Sequence, residues 1–395
     1  MRLFSFRKGL LITGNPRSGK TTLIKYLVNI LEKTFPKVKF FGFITEEVRE
    51  TKGKRDRIGF DLVPVGETKR VFPSSLPLAR KHLSGKELPK VGSYTVLVEN
   101  LERMLSFLEH ELSEKRDAVL ILDEVGKMEL KSPKFTSFFE KVLERNIPFM
   151  ATVGKGEHPF LQRVRNLEKV LLCEVTLENR DFLRERLLLE FIRPGLLVVF
   201  EGIDGAGKTT VHNALAERLK NNPNIVFSYE PTNGAYGKKL REALKIENFP
   251  KEERLSLFIK DRLEHVKSLI IPSLKKGKLV ILDRYYPSTI AYQGAEGFDF
   301  KELLILNETI APTPDLVIYF DLPVEVAVER LKERGKEFSI FEKEEKLVRI
   351  AENYEKLLPL FKVQRLDALQ SVDKLIEEVL TNVDLFKKLY KNMFK

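Results

Sequence analysis

The chain has 395 residues, 43% hydrophobic and 32% charged, which is material for two cores of ordinary size rather than one. Its single cysteine, Cys173, excludes an intramolecular disulfide and any multi-cysteine zinc site. The net charge of +11 comes from 68 basic residues interspersed with 57 acidic ones, with no aromatic-studded basic block, so nucleic acid is not expected as a partner.

No apolar run approaches the roughly 20 residues of a membrane span, and no membrane association is expected. The first eight residues lack the apolar stretch of a signal peptide, which points to a cytoplasmic protein.

In chain order, an apolar strand-like run at 10–13 leads into Gly14-Asn15-Pro16-Arg17-Ser18-Gly19-Lys20-Thr21-Thr22 and then a helical pattern at 23–31. Residues 41–98 read differently. Their β-like pieces, 58–65 and 94–98, are broken by Gly and Pro, which predicts an antiparallel insertion or extension. Short β-like runs follow at 118–122, 148–153 and 170–175, and Pro194 and Gly195 end a helix. The pattern then restarts. A run at 196–200 precedes Gly202-Ile203-Asp204-Gly205-Ala206-Gly207-Lys208-Thr209-Thr210 and a helical stretch at 211–219, with later runs at 279–282 and 316–320. The expected domains are 1–193 and 194–395. Each is predicted to be a three-layer α/β/α domain of the P-loop NTPase type with a mainly parallel sheet, the first carrying the β-rich insertion.

Both loops fit GxxxxGK[ST] between a strand and a helix, the context in which backbone N–H groups cradle phosphate at a helix N-terminus. Lys20 and Lys208 are expected to reach the β- and γ-phosphates of a nucleoside triphosphate such as ATP. Thr21 and Thr209 would place a hydroxyl on Mg²⁺. Asp283 ends the run at 279–282, where an α/β sheet binds ligands, and is a candidate Mg²⁺ ligand; Arg284 beside it can neutralise phosphate. Phe258 and Arg262, four apart on a predicted helix, share a face: a ring for a base and a guanidinium for a phosphate. Core packing is the other reading of Phe258 alone. In the first half, Asp123 and Glu124 end the run at 118–122, a pairing suited to NTP hydrolysis, with Asp123 on Mg²⁺ and Glu124 polarising a water.

The second half resembles thymidylate kinases. The resemblance rests on 200–210, on Glu230-Pro231, on 257–262, on Asp283-Arg284-Tyr285, on 291–294, on 314–321 and on 329–335. It implies that Asp204 contacts the dTMP 3′-hydroxyl and that Glu230 orders the acceptor site. It further implies Phe258 stacked on thymine, Arg262 and Arg284 on the monophosphate, Gln293 on the thymine edge, and Tyr292 excluding a ribose 2′-hydroxyl. Thymidylate kinases are commonly dimers, and the resemblance extends a homodimer expectation to this chain. Bacterial relatives without a P-loop arginine usually carry a catalytic arginine in a lid. The corresponding segment 334–342 is short, and Arg334 is the candidate, with Lys336 and Arg349 as alternatives.

The first half resembles the small THEP-type nucleoside triphosphatases through 14–23, 42–49, 59–60, 91–94, 123–130 and 176–180. That resemblance implies slow hydrolysis of ATP, GTP and similar nucleotides. Arg17 stands where that family often has glycine, and His158, Arg163 and Arg165 fall where a nucleotide-sensing segment could lie. The whole then reads as a bifunctional enzyme. The alternatives are a tandem P-loop motor or switch on nucleic acid, or a first half that is a nucleotide-binding regulatory module or a kinase of another acceptor.

Overall fold

The computed structural model describes residues 3–5, 7–50, 56–83, 88–114, 118–246, 248–333 and 340–393. The chain divides into two compact units, Met1–Phe191 and Ile192–Lys395.

In the first unit, nine strands make one sheet: β1 (Gly9–Thr13), β2 (Lys39–Arg49), β3 (Arg57–Gly66), β4 (Leu76–Lys81), β5 (Lys90–Val91), β6 (Tyr94–Val96), β7 (Ala118–Val125), β8 (Phe149–Val153) and β9 (Val170–Glu174). Their order is β5-β6-β4-β3-β2-β7-β8-β1-β9. Helices α1 (Lys20–Thr34), α2 (Val98–Glu114), α3 (Pro133–Glu144), α4 (Pro159–Arg165) and α5 (Arg180–Phe191) alternate with them. Every residue of β1 and β8 is buried, as parallel strands covered on both faces must be. The helix α1 buries Leu23, Ile24, Leu27, Val28 and Leu31 along one stripe, each such side chain contributing about 1.5–3 kcal/mol.

The β-rich stretch is an extension of this sheet. Residues 39–44 of β2 pair in parallel with 118–123 of β7, while the other edge of β2 pairs antiparallel with β3. The strand therefore starts before residue 41, and residue 98, read as strand, opens α2. Gly42 sits between the two neighbours with φ 139°, and a Cβ there would lie 1.8 Å from the Ile121 carbonyl oxygen. Gly42→Ala is expected to destabilise the first unit by about 3 kcal/mol, combining backbone strain with overpacking. A denaturation midpoint unchanged from wild type would contradict this.

The second unit has strands β10 (Leu196–Glu201), β11 (Ile225–Tyr229), β12 (Leu279–Asp283), β13 (Leu316–Asp321) and β14 (Val363–Asp367) in the order β11-β12-β10-β13-β14, all neighbours parallel. Sequence patterning passed over β11 and β14 because both are short edge strands, partly exposed and carrying polar residues. The helices are α6 (Lys208–Arg218), α7 (Ala235–Ala243), α8 (Lys251–His265), α9 (Ile271–Lys275), α10 (Tyr286–Ala295), α11 (Phe300–Ile310), α12 (Val324–Glu333), α13 (Ile340–Leu357) and α14 (Val372–Met393). A π-helical turn, Val266–Ile270, joins α8 to α9. Among the described residues no helix is long and apolar enough to cross a membrane.

Candidate active sites

Each P-loop leaves the C-terminal end of its strand through a glycine at which a side chain would be strained and would clash. Gly14 has φ 150° and Gly202 φ 142°; a Cβ would meet the Val175 carbonyl oxygen at 2.4 Å or the Phe320 carbonyl oxygen at 2.6 Å. Each loop ends in a left-handed glycine, Gly19 or Gly207, that opens the helix. The two lysines take matching positions. Lys20 Nζ donates to the carbonyls of Gly14 (3.1 Å) and Asn15 (3.3 Å), and Lys208 Nζ to those of Gly202 (2.9 Å) and Ile203 (2.7 Å). Burial and the nearby Arg284 charge push Lys208 down to about 7, so an incoming phosphate would be met by a poorly solvated cation.

The candidate metal ligands also match. The Thr209 hydroxyl donates to Asp283 Oδ2, and Asp283 Oδ1 is buried with no hydrogen-bond partner. In the first unit Asp123 Oδ1 accepts from Thr152 on β8, and Asp123 Oδ2 is likewise buried and unsatisfied. Burial raises the Asp123 pKa, against the Thr152 and Thr21 hydroxyls and the Lys20 charge. A hydroxyl beside a carboxylate that keeps one orphaned oxygen is an oxygen donor set that fits a hard divalent cation. The wiring differs, however. In the second unit β12, which carries Asp283, lies beside the P-loop strand β10, whereas in the first unit β8 separates β7 from the P-loop strand β1.

A cavity of about 920 Å³ opens beside the second P-loop. Its lining brings together Asp204, Glu230, Phe258, Arg262, Arg284, Tyr292 and Gln293, residues that span some ninety positions of sequence. Arg284 adopts a left-handed backbone at φ 68°, which costs about 1–2 kcal/mol for a residue with a side chain. That backbone aims its guanidinium at Asp204 and at Ser288 Oγ (3.2 Å), with the Tyr292 ring 5.1 Å away. The Gln293 amide oxygen is buried without a partner. Arg262 is more fully committed. Its Nε and Nη2 donate to Glu230 Oε2 at 3.0 and 2.6 Å, Nη2 also to Thr289 Oγ1 at 3.0 Å, and Nη1 to Asn307. His265 adds Nδ1 to Glu230 Oε1 at 3.0 Å. Burial alone would raise the Glu230 carboxyl, but Arg262 and His265 outweigh it and hold it below the usual carboxylate range.

In the first unit Glu124 is pushed up by burial and by Asp123, with Lys20 opposing. Near it Glu129, which sequence reasoning gave no role, is pushed up to about 8 by burial and by the Glu124 charge. His158 caps α4 by accepting the Phe160 N–H at 3.2 Å; Arg163 pairs with Glu140, and Arg165 donates to the carbonyls of Gly154 and Gly156. Arg17 is exposed, at φ 65°. Arg334 and Lys336 lie outside the described residues, and Arg349 pairs with Glu345 on the surface. A cation not singled out from sequence, Arg330 of α12, donates to the P-loop carbonyl of Gly205 at 3.2 Å and to that of Ala368 at 3.1 Å.

Comparison with known proteins adds two family matches. Residues 200–379 match the family model for thymidylate kinase, and residues 9–188 the family model for NTPase. The chain is 42% identical over 199 residues to the thymidylate kinase of Desulfotalea psychrophila, an alignment that covers 50% of this chain and 98% of that protein. It is 49% identical over 144 residues to the thymidylate kinase of Akkermansia muciniphila, covering 36% and 70%. Over 162 residues it is 43% identical to the thymidylate kinase of Xanthomonas campestris pv. campestris, covering 41% and 71%.

Proposed function

Because the chain belongs to the thymidylate kinase family through its second half and matches the NTPase family through its first, we propose a bifunctional nucleotide enzyme. The second unit transfers the γ-phosphate of ATP to dTMP, giving dTDP and ADP, and the first hydrolyses nucleoside triphosphates. One observation carries the kinase reading: the cavity beside Lys208 gathers an aromatic face, three arginines (Arg254, Arg262 and Arg284), a partnerless amide oxygen and the Asp204 carboxylate. That set suits a pyrimidine monophosphate with a free 3′-hydroxyl.

The chemistry needs two anions held in line, so it is mainly positioning and charge neutralisation. The P-loop amides and Lys208 would hold the donor phosphates. Arg284 would hold the acceptor phosphate, with Arg262, its charge compensated by Glu230, offering an N–H toward it, Phe258 stacking the base, Gln293 reading its edge and Tyr292 closing the space beside C2′. The acceptor oxygen is already a nucleophile, so no strong base is required. In the first unit the nucleophile would be water, and Glu124 would orient it. Thr209 with Asp283, and Thr21 with Asp123, would hold Mg²⁺, which when bound supplies charge neutralisation at the phosphates.

The test is ADP formation by purified protein and ATP with each nucleoside monophosphate in turn. The reading expects stimulation by dTMP well above that by other monophosphates. If dTMP stimulates nothing, the kinase assignment fails.

A further inference from the structure

Glu201 closes the strand β10 immediately before the second P-loop, and its side chain is fully buried. A carboxylate there needs partners, and both of its oxygens have them. Oε1 accepts the Tyr285 N–H at 2.9 Å; Oε2 accepts the Ser288 hydroxyl at 2.6 Å and the Tyr354 hydroxyl at 2.8 Å. Tyr354 is fully buried and belongs to α13, more than 150 residues away in sequence. Its hydroxyl also lies 3.0 Å from Ser288 Oγ. Ser288, with its own proton donated to Glu201, accepts from Arg284 Nη1. Arg284 is further fixed by its N–H, which donates to the Phe200 carbonyl at 3.0 Å.

The chain of contacts thus runs from α13 through Tyr354 and Glu201 to Ser288, and from Ser288 to a guanidinium on a strained backbone. Neither Glu201 nor Tyr354 lines the acceptor cavity, whereas Ser288 and Arg284 do. We infer that Glu201 and Tyr354 are positioning residues for the phosphotransfer site: they orient Ser288 so that it holds Arg284 toward the acceptor phosphate. The inference rests on the dTMP kinase reading. It adds that α13 is linked to the phosphate-binding arginine through Tyr354 and Ser288.

A residue that acts through Arg284 loses its influence once Arg284 is gone, and a residue that only supports the fold does not. The experiment is a double-mutant cycle in the full chain, reading steady-state dTDP formation for wild type, Tyr354→Phe, Arg284→Ala and the pair. Tyr354→Phe is expected to lower kcat/KM for dTMP about tenfold, the worth of one hydrogen bond in such a network, with KM for ATP unchanged within about twofold. In the Arg284→Ala background the same change is expected to have almost no effect. Glu201→Gln is expected to follow Tyr354→Phe in direction. If Tyr354→Phe does not fold, Ser288→Ala cuts the same link and is read the same way. Equal factors in both backgrounds, or a Tyr354→Phe enzyme with wild-type kinetics, would overturn the inference while leaving the kinase reading intact. A wild-type protein that makes no dTDP would instead overturn the reading beneath it.

Discussion

Lys208→Ala is expected to cut dTMP-dependent ADP formation by about 10²–10³-fold while leaving dTMP-independent hydrolysis at its wild-type rate. The expected size follows from the position of the side chain. Lys208 is buried, it donates to two carbonyls of its own loop, and its charge is poorly solvated. An ammonium held in this way is preorganised for phosphate, and truncation leaves the loop carbonyls of Gly202 and Ile203 facing an anion with no cation between them. The expected independence of the two activities follows from the existence of a separate and complete P-loop in the first unit, where Lys20 contacts Gly14 and Asn15 in the same manner. Lys20→Ala should therefore do the reverse, abolishing hydrolysis and sparing dTDP formation. A Lys20→Ala protein that loses dTMP-dependent turnover would show that the assignment of the two activities to the two units is mistaken.

Glu230→Gln should destabilise the second unit by about 3–5 kcal/mol, the cost of leaving a buried charge without its partner. Arg262 is 2% exposed and directs two donors to one Glu230 oxygen, while His265 occupies the other. An amide in place of the carboxylate keeps the volume but removes the charge that compensates the guanidinium. The effect has a pH signature with a definite sign. The folded Glu230 carboxyl is held below its ordinary value of 4.5, so its contribution is fully present above that pH and is lost as pH falls through the lower, folded value. Urea denaturation of wild type and Glu230→Gln at pH 7 and again at progressively acid pH should show a wide gap in midpoint that closes below about pH 4.5. A gap that stays constant, or widens, on acidification would exclude an ionised Glu230 as the source.

What could be read from the sequence was whatever is encoded locally. The phosphate loops have a fixed spacing, the acids Asp123 and Asp283 end apolar runs, and Phe258 and Arg262 stand one helical turn apart, so chemistry and neighbours lie within a few residues of each other. The residues proposed for the acceptor site came from a family resemblance whose motifs run in order along the chain, and they line one cavity. Three things were not legible. Glu201 looks like an extra polar residue beside a P-loop, and its partners Tyr285, Ser288 and Tyr354, the last from a distant helix with no motif of its own, show how it can be buried. Arg262 looks like a free phosphate ligand until Asn307 and Thr289 are brought against it from other helices. Strand order left no local trace either, because β8 and β12 are both short apolar runs and hydrophobic periodicity does not say which neighbour a strand chooses.

That strand order bears on ancestry. The two halves share a loop sequence, and a tandem copy of one ancestral gene would be the simplest history for such a repeat. Yet one half has a strand threaded between its loop strand and its acid strand, and the other has those two side by side. Successive point substitutions do not interconvert such arrangements, since a parallel crossover would have to be withdrawn from the middle of a hydrogen-bonded sheet and reinserted elsewhere. A direct copy of one half would carry one strand order, so the shared loop pattern does not make the halves copies of each other, and resemblance between their loops says nothing about kinship between their reactions.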